Sequence, residues 1–142
     1  MTSEYASLQH KWFDQVWNLG NAEVIDELLH PDVVGYGLTD SGGNEVRGIP
    51  AFKDFFYSFR SAFPDINVEI EQCVEQGDFL VVFCRVCATH SGEGFMSAPT
   101  GRRVEFTGTC MVRLEDGLIR ESWNCFDFLS VMQQLDLVTF RV

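Results

Sequence analysis

Apolar residues recur along this chain with two periods, and the switches between them mark out its elements. Over residues 3–18, Tyr5, Leu8, Trp12 and Val16 fall three and four apart, the single stripe of an amphipathic helix. Gly20 ends it. Val24, Ile25, Leu28 and Leu29 then mark a short second helix, which His30-Pro31-Asp32 breaks. The run over residues 33–38 predicts a first strand with Tyr36 near its middle, and the polar loop over residues 39–44 turns the chain back through Glu45-Val46-Arg47. A third helix opens with Pro50 in its first turn, where a missing N–H costs nothing. Phe52, Phe55, Phe56, Phe59 and Phe63 cover a broad face of it before Pro64 stops it.

The period then shortens to two. Val68, Ile70 and Val74 alternate with polar residues over 67–75, and Gln76-Gly77-Asp78 reads as a turn. Residues 79–90 have almost no polar interruption, as expected of a central strand. Residues 91–102, rich in Gly, Pro and Ser, predict a loop over the mouth of a pocket. Two long strands meet at Glu115-Asp116-Gly117, and the second leads through Trp123-Asn124 into an amphipathic helix that starts near Asp127. The order α-α-β-α-β-β-β-β-α defines an α+β fold, in which a curved, mainly antiparallel sheet is packed with helices into a cone enclosing a pocket. Residues 1–142 make a single domain by length.

Composition narrows what that pocket can hold. With 46% hydrophobic residues and 13 Phe, aromatic side chains exceed the needs of a core and suit an apolar small-molecule ligand. A formal net charge of -11 repels phosphate backbones and anionic surfaces, which argues against nucleic acid or membrane as partners. The N-terminus reads as free of a signal peptide, and the five cysteines, mostly inside predicted strands, fit reduced thiols in a cytoplasmic protein. Cys84 and Cys87 have CxxC spacing, but on a strand they point to opposite faces, so no zinc or redox site is expected there.

The order of short motifs resembles a known family. Val16-Trp17-Asn18 with Gly20, Pro31-Asp32-Val33-Val34, Phe63-Pro64-Asp65, Thr89-His90-Ser91-Gly92, Pro99-Thr100-Gly101-Arg102, Arg113-Leu114-Glu115-Asp116-Gly117, Trp123 and Gln133-Gln134-Leu135 are similar to those of SnoaL-like polyketide cyclases, also called ester cyclases, of the nuclear-transport-factor-two-like superfamily. That resemblance implies the cone fold, a homodimer, and cofactor-free acid/base closure of a ring in a polyketide ester. It also implies a catalytic Asp just after the Trp of the last strand and an assisting His on the neighbouring strand. Here those positions hold Asn124 and Cys110. An amide cannot take a proton from carbon, so Asn124 can only exchange hydrogen bonds.

Whether Cys110 and Asn124 share a face depends on the hairpin register. A two-residue Asp116-Gly117 loop would pair Cys110 with Trp123 and turn Asn124 away. A three-residue loop with a bulge would pair Cys110 with Ser122 and gather Phe106, Cys110, Ser122, Asn124 and Phe126 on one face, and this register is the one expected. Arg113 and Glu121 would then meet on the other face.

Each candidate has a functional and a structural reading. Asp127 is a general base at the pocket rim or a helix N-cap. His90 transfers protons near neutral pH or makes a structural hydrogen bond. Asn124 holds a substrate oxygen or satisfies the backbone. Tyr36 and Trp12 line the pocket or belong to the core. Arg85 binds a ligand carboxylate or pairs with Glu69 or Glu71. His90 and Asp127 are thus the expected catalytic pair, with Asn124, Cys110, Ser122, Tyr36, Trp12, Phe106 and Phe126 as substrate contacts. Neither metal nor organic cofactor is expected. The competing reading is a non-catalytic binding or assembly module on the same fold.

Overall fold

A computed structural model describes residues 4–39, 42–94 and 97–141. Helix α1 (Glu4–Gln9) runs directly into a π-helical segment (His10–Asn18), followed by α2 (Glu23–Leu28), β1 (Leu29–Thr39), β2 (Glu45–Arg47) and α3 (Gly48–Ala62). Strands β3 (Asn67–Gln76), β4 (Phe79–Thr89), β5 (Arg103–Glu115) and β6 (Leu118–Phe126) come next, and α4 (Phe128–Gln134) closes the chain. The six strands form one curved sheet in the order β2-β1-β6-β5-β4-β3, antiparallel except where β1 runs parallel to β6. The expected α+β layout is therefore observed.

Strict alternation sets the two faces of the sheet. Leu80, Val82, Cys84, Val86 and Ala88 of β4 are buried while their neighbours are partly exposed, and β5 repeats the pattern from Val104 to Leu114. The unbroken apolar run of β4 is thus buried on one face only. Its outer side leaves Phe79, Val81 and Phe83 in partial contact with solvent. Against the concave face the α3 aromatics Phe52, Phe56 and Phe59 pack with Phe63 into the core.

Three local features depart from the sequence reading. First, strand β1 runs straight through Pro31. The missing N–H is harmless there, because β2 pairs only from Val34 onward and the β6 pairing shifts between Leu29 and Val34. Second, the β5–β6 turn has two residues, Asp116 and Gly117, both with positive φ, so it is of type I′. A bulge then lets Arg113 face Glu121 while Leu114 faces Ile119, which pairs Cys110 with Asn124 rather than with Ser122. The short turn and the bulge each move the register by one residue in the same direction, two in all, so the expected residues still share a face. Third, the described residues of the loop from Ser91 do not line the cavity. Gly92 N–H donates to the Ala62 carbonyl at 3.1 Å, which seats this segment on the C-terminal end of α3. A Cβ on Gly92 would stand 1.8 Å from the Ser61 carbonyl oxygen, so only glycine permits that approach.

Two amides close backbone edges that the sheet leaves open. Asn18 donates to the Val68 carbonyl at 3.1 Å and accepts from the Val68 N–H at 2.6 Å, fastening the π-segment to the outer strand β3. Gln134 does the same for Glu105 at 2.8 and 2.9 Å, where β6 has already left the sheet. Both helical walls are thereby held over the concave face by main-chain-like pairs.

Candidate functional site

The helices and the concave sheet face enclose a cavity with about 820 Å³ of space not filled by atoms, its open mouth included. Its helical side is aromatic: Trp12, Phe13 and Trp17 from the π-segment, Phe52, Phe55 and Phe59 from α3, and Phe128 from α4. The π-segment explains how two tryptophans five residues apart come to line one space. In an α-helix such residues diverge, whereas i→i+5 winding, seen where Leu19 N–H donates to the Asp14 carbonyl at 2.9 Å, stacks them on one side. Trp17 then sits edge-on to Phe52, Phe55, Phe56 and Phe59 at ring-centroid distances from 5.4 to 6.3 Å.

The sheet side carries the polar groups. Ser122 and Asn124 of β6 and Cys110 of β5 all line the cavity, together with Phe106 and Phe126. The Asn124 amide nitrogen donates to the Tyr36 carbonyl and to Ser122 Oγ, each at 3.0 Å. Because the atom facing the Tyr36 carbonyl has to be a donor, this contact fixes the orientation of the amide. Asn124 Oδ1 therefore remains an acceptor, and the Ser122 hydroxyl, which already accepts, remains free to donate its own hydrogen. Burial, with Cys84 beside it, pushes the pKa of the Cys110 thiol up to about 12, which disfavours the thiolate form. Among the described residues that line the cavity there is no Asp, Glu, His, Lys or Arg.

Trp12, Phe106, Cys110, Ser122, Asn124 and Phe126 are thus brought together as expected. Tyr36, His90 and Asp127 are not. Tyr36 lies on the outer face, stacked on Trp123 at 5.5 Å with its hydroxyl donating to Glu121 at 3.3 Å. Neighbouring residues of a strand point to opposite faces, so Gly35, and not Tyr36, opens on the cavity. Asp127 is the N-cap of α4, accepting from the Ser130 N–H at 3.0 Å, and is exposed outside the cavity. His90 is fully buried beside Phe63, away from the cavity lining, and its Nδ1 lies 3.1 Å from the Thr100 hydroxyl and accepts from the Thr100 N–H at 3.3 Å. Arg85 joins Glu71 and Glu105 at 2.7 and 2.9 Å on the outer face. Arg113 meets Glu121 there at 2.7 Å, and that hydrogen bond holds the Glu121 carboxyl below its usual range.

Sequence periodicity did not single out Trp17, Phe13 or Phe128 as lining residues. The apolar stripe was read with an α-helical period, and the π winding is what turns Trp17 inward. No helix among the described residues is long and apolar enough to cross a membrane, and no described group of three His, Cys, Asp or Glu could hold a metal ion.

With this geometry in hand, the comparisons with known proteins are specific. Residues 8–135 match the family model described as SnoaL-like polyketide cyclase, and the chain belongs to that family. It is similar to the nogalonic acid methyl ester cyclase of Streptomyces nogalater, 26% identical over 120 residues that cover 84% of this chain and 88% of that one. Among solved structures, a candidate SnoaL-like polyketide cyclase from Jannaschia sp. CCS1 superposes with a TM-score of 0.84 at 24% identity, over 96% of this chain and 94% of the other. IdmH of Streptomyces antibioticus, a candidate polyketide cyclase, does so with a TM-score of 0.77 at 28% identity, over 92% and 97%.

Proposed function

We propose that this protein binds an apolar, carbonyl-bearing small molecule of polyketide type and promotes its ring closure by confinement and hydrogen bonding, without proton transfer to a cavity side chain. The observation that carries this reading is the Asn124–Ser122 pair, set in a cavity whose described lining residues carry no ionisable side chain other than the Cys110 thiol. Ser122 would donate to the carbonyl that is attacked. The Asn124 N–H already donated to Ser122 Oγ polarises that hydroxyl and strengthens it as charge grows on the substrate oxygen. Asn124 Oδ1 would accept from the enol hydroxyl of the same molecule. The ring-closing bond joins the enol carbon to the carbonyl carbon. The attacked oxygen gains a proton and the enol oxygen loses one, so the protein supplies no net proton. Aromatic walls hold the reacting ends together and exclude water, which is the larger source of rate in such a site.

The family relation supports a cyclase-like role, and the Streptomyces nogalater relative suggests a probe, nogalonic acid methyl ester. With it, Ser122→Ala is expected to slow turnover by about a hundredfold or more, as loss of one such donor does elsewhere. Asp127→Asn and His90→Gln are expected to keep the rate. A bell-shaped pH profile abolished by Asp127→Asn would overturn the reading. The lack of a proton-transfer group favours one alternative, a binding module without turnover. That alternative predicts saturable binding of the ester and no product above the buffer rate.

The protein is further proposed to pair as a homodimer through its outer sheet face. There Trp123 stacks with Tyr36 and packs 6.2 Å from Phe79, and Val74 is 61% exposed. Apolar surface of this extent is usually covered.

A further inference from the structure

The cavity has a hydrogen-bond donor that the ring-closing scheme does not use. Trp12 is 9% exposed, and its ring packs on Phe52 with 5.2 Å between ring centroids. Its indole N–H has no acceptor among the described residues. The nitrogen is also not sealed in protein, because the side-chain atom that is both sealed and unpartnered among the described residues is His90 Nε2. The spaces that Trp12 borders are the main cavity and a small recess behind it, which shares Phe13, Cys110, Val112 and Ile119 with that cavity. A tryptophan buried this deeply ordinarily satisfies its N–H. Gln9, the one amide of the recess, already donates to Cys73 Sγ at 2.8 Å.

We propose that the Trp12 indole N–H is a ligand-binding donor that takes a second oxygen of the ligand. It stands on the helical wall, in the layer opposite the strand that carries Ser122 and Asn124. The cavity then reads two oxygens on one flat apolar molecule, one from the sheet and one from the helix. This defines the ligand class as an aromatic or polycyclic compound with acceptor oxygens at two separated positions, and it excludes a pure hydrocarbon or a monoketone as the preferred occupant. The inference rests on the reading that the cavity takes an apolar carbonyl compound.

The test crosses variants with three probes of one shape: 2,6-diacetylnaphthalene, 2-acetylnaphthalene and 2-ethylnaphthalene, titrated calorimetrically. The wild-type protein is expected to bind the diketone more tightly than the monoketone. Trp12→Phe is expected to weaken the diketone by about three- to tenfold, the range of one net hydrogen bond, while leaving 2-ethylnaphthalene within about twofold. If Trp12→Phe does not fold, benzothienylalanine at position 12 removes the donor with nearly the same shape. Equal weakening of all three probes would show that Trp12 only packs, and would overturn the inference. Equal wild-type affinity for diketone and monoketone would overturn it too. Failure of the wild-type protein to bind any of the three would instead overturn the underlying reading of the cavity.

Discussion

The Asn124 amide nitrogen lies 3.0 Å from Ser122 Oγ, two residues back on the same face of β6, and donates to it while also donating to the Tyr36 carbonyl. One side chain thereby ties β1 to β6 and holds Ser122, the only hydroxyl among the described residues of the cavity lining. Substituting Asn124 by Asp puts an acceptor opposite the Tyr36 carbonyl. The expected result is a loss of about 1–3 kcal/mol at neutral pH, the cost of facing a carbonyl without a donor. The new carboxyl would be favoured in its protonated form, so its folded pKa is raised. Its destabilisation should then ease as pH falls, and thermal melts of the variant between pH 5 and 8 should show its deficit shrinking toward the acid end. A deficit that stays constant over this range would refute the assignment.

His90 and the cavity are predicted to be separable. Deleting the fully buried ring in His90→Ala should cost about 2–4 kcal/mol through the void it leaves and the lost Thr100 contacts. It should also speed proteolytic cleavage in the segment that follows Ser91. Affinity for the naphthyl ketones should remain within about twofold when measured below the melting temperature.

Gly108 leaves the room that Phe126 occupies. A Cβ there would lie 2.1 Å from the Phe126 ring, so Gly108→Ala has to push the ring into the cavity. The expected outcome is a destabilisation of about 1–3 kcal/mol together with weaker binding of the largest probe, read from melts and titrations of the same samples.

Acid stability should depend on Asp65. Burial raises its carboxyl pKa, but the hydrogen bonds from Thr89, led by the N–H at 2.6 Å, outweigh this and leave it lowered. A lowered folded pKa stabilises above the unfolded value of about 4 and loses that contribution as pH falls through the folded one. Wild-type stability should therefore drop below about pH 4, and Asp65→Asn should be less stable at neutral pH with a flatter acid limb. An unchanged acid limb in the variant would count against this role.

Sedimentation should return the mass of a dimer for the wild-type protein. A charged replacement such as Phe79→Glu on the outer face should shift it toward the monomer without altering probe affinity. A monomeric wild-type protein would remove the proposed pairing.

Much of this architecture was legible in the residues themselves. Alternation along β4 and β5, Pro64 after the Phe-rich helix and the Asp-Gly turn locate strands, helix and hairpin, because each is decided by local geometry and by which side chains shun water. The inward set Phe106, Cys110, Ser122, Asn124 and Phe126 was legible for the same reason, since side-chain direction on a strand depends on parity alone.

Other features needed the folded chain. Parity could not distinguish a three-residue turn from a two-residue turn followed by a bulge, and only the bulge at Arg113/Leu114 sets the partner of Cys110 as Asn124. Tyr36 looked like a cavity residue until the parallel pairing of β1 with β6 turned it outward onto Trp123. His90 and Asp127 have the chemistry of an acid and a base, yet packing against Phe63 and capping of α4 occupy them elsewhere. The π winding of residues 10–18 was not legible in a stripe read with an α-helical period, and it is this winding that brings Trp12 and Trp17 to one wall. Periodicity thus determined the elements, their faces and the apolar character of the site. Long-range pairing decided which polar groups reach the cavity, since hydrogen-bond partners 80 or more residues apart, as Asn124 and Tyr36 are, meet only when the sheet has formed.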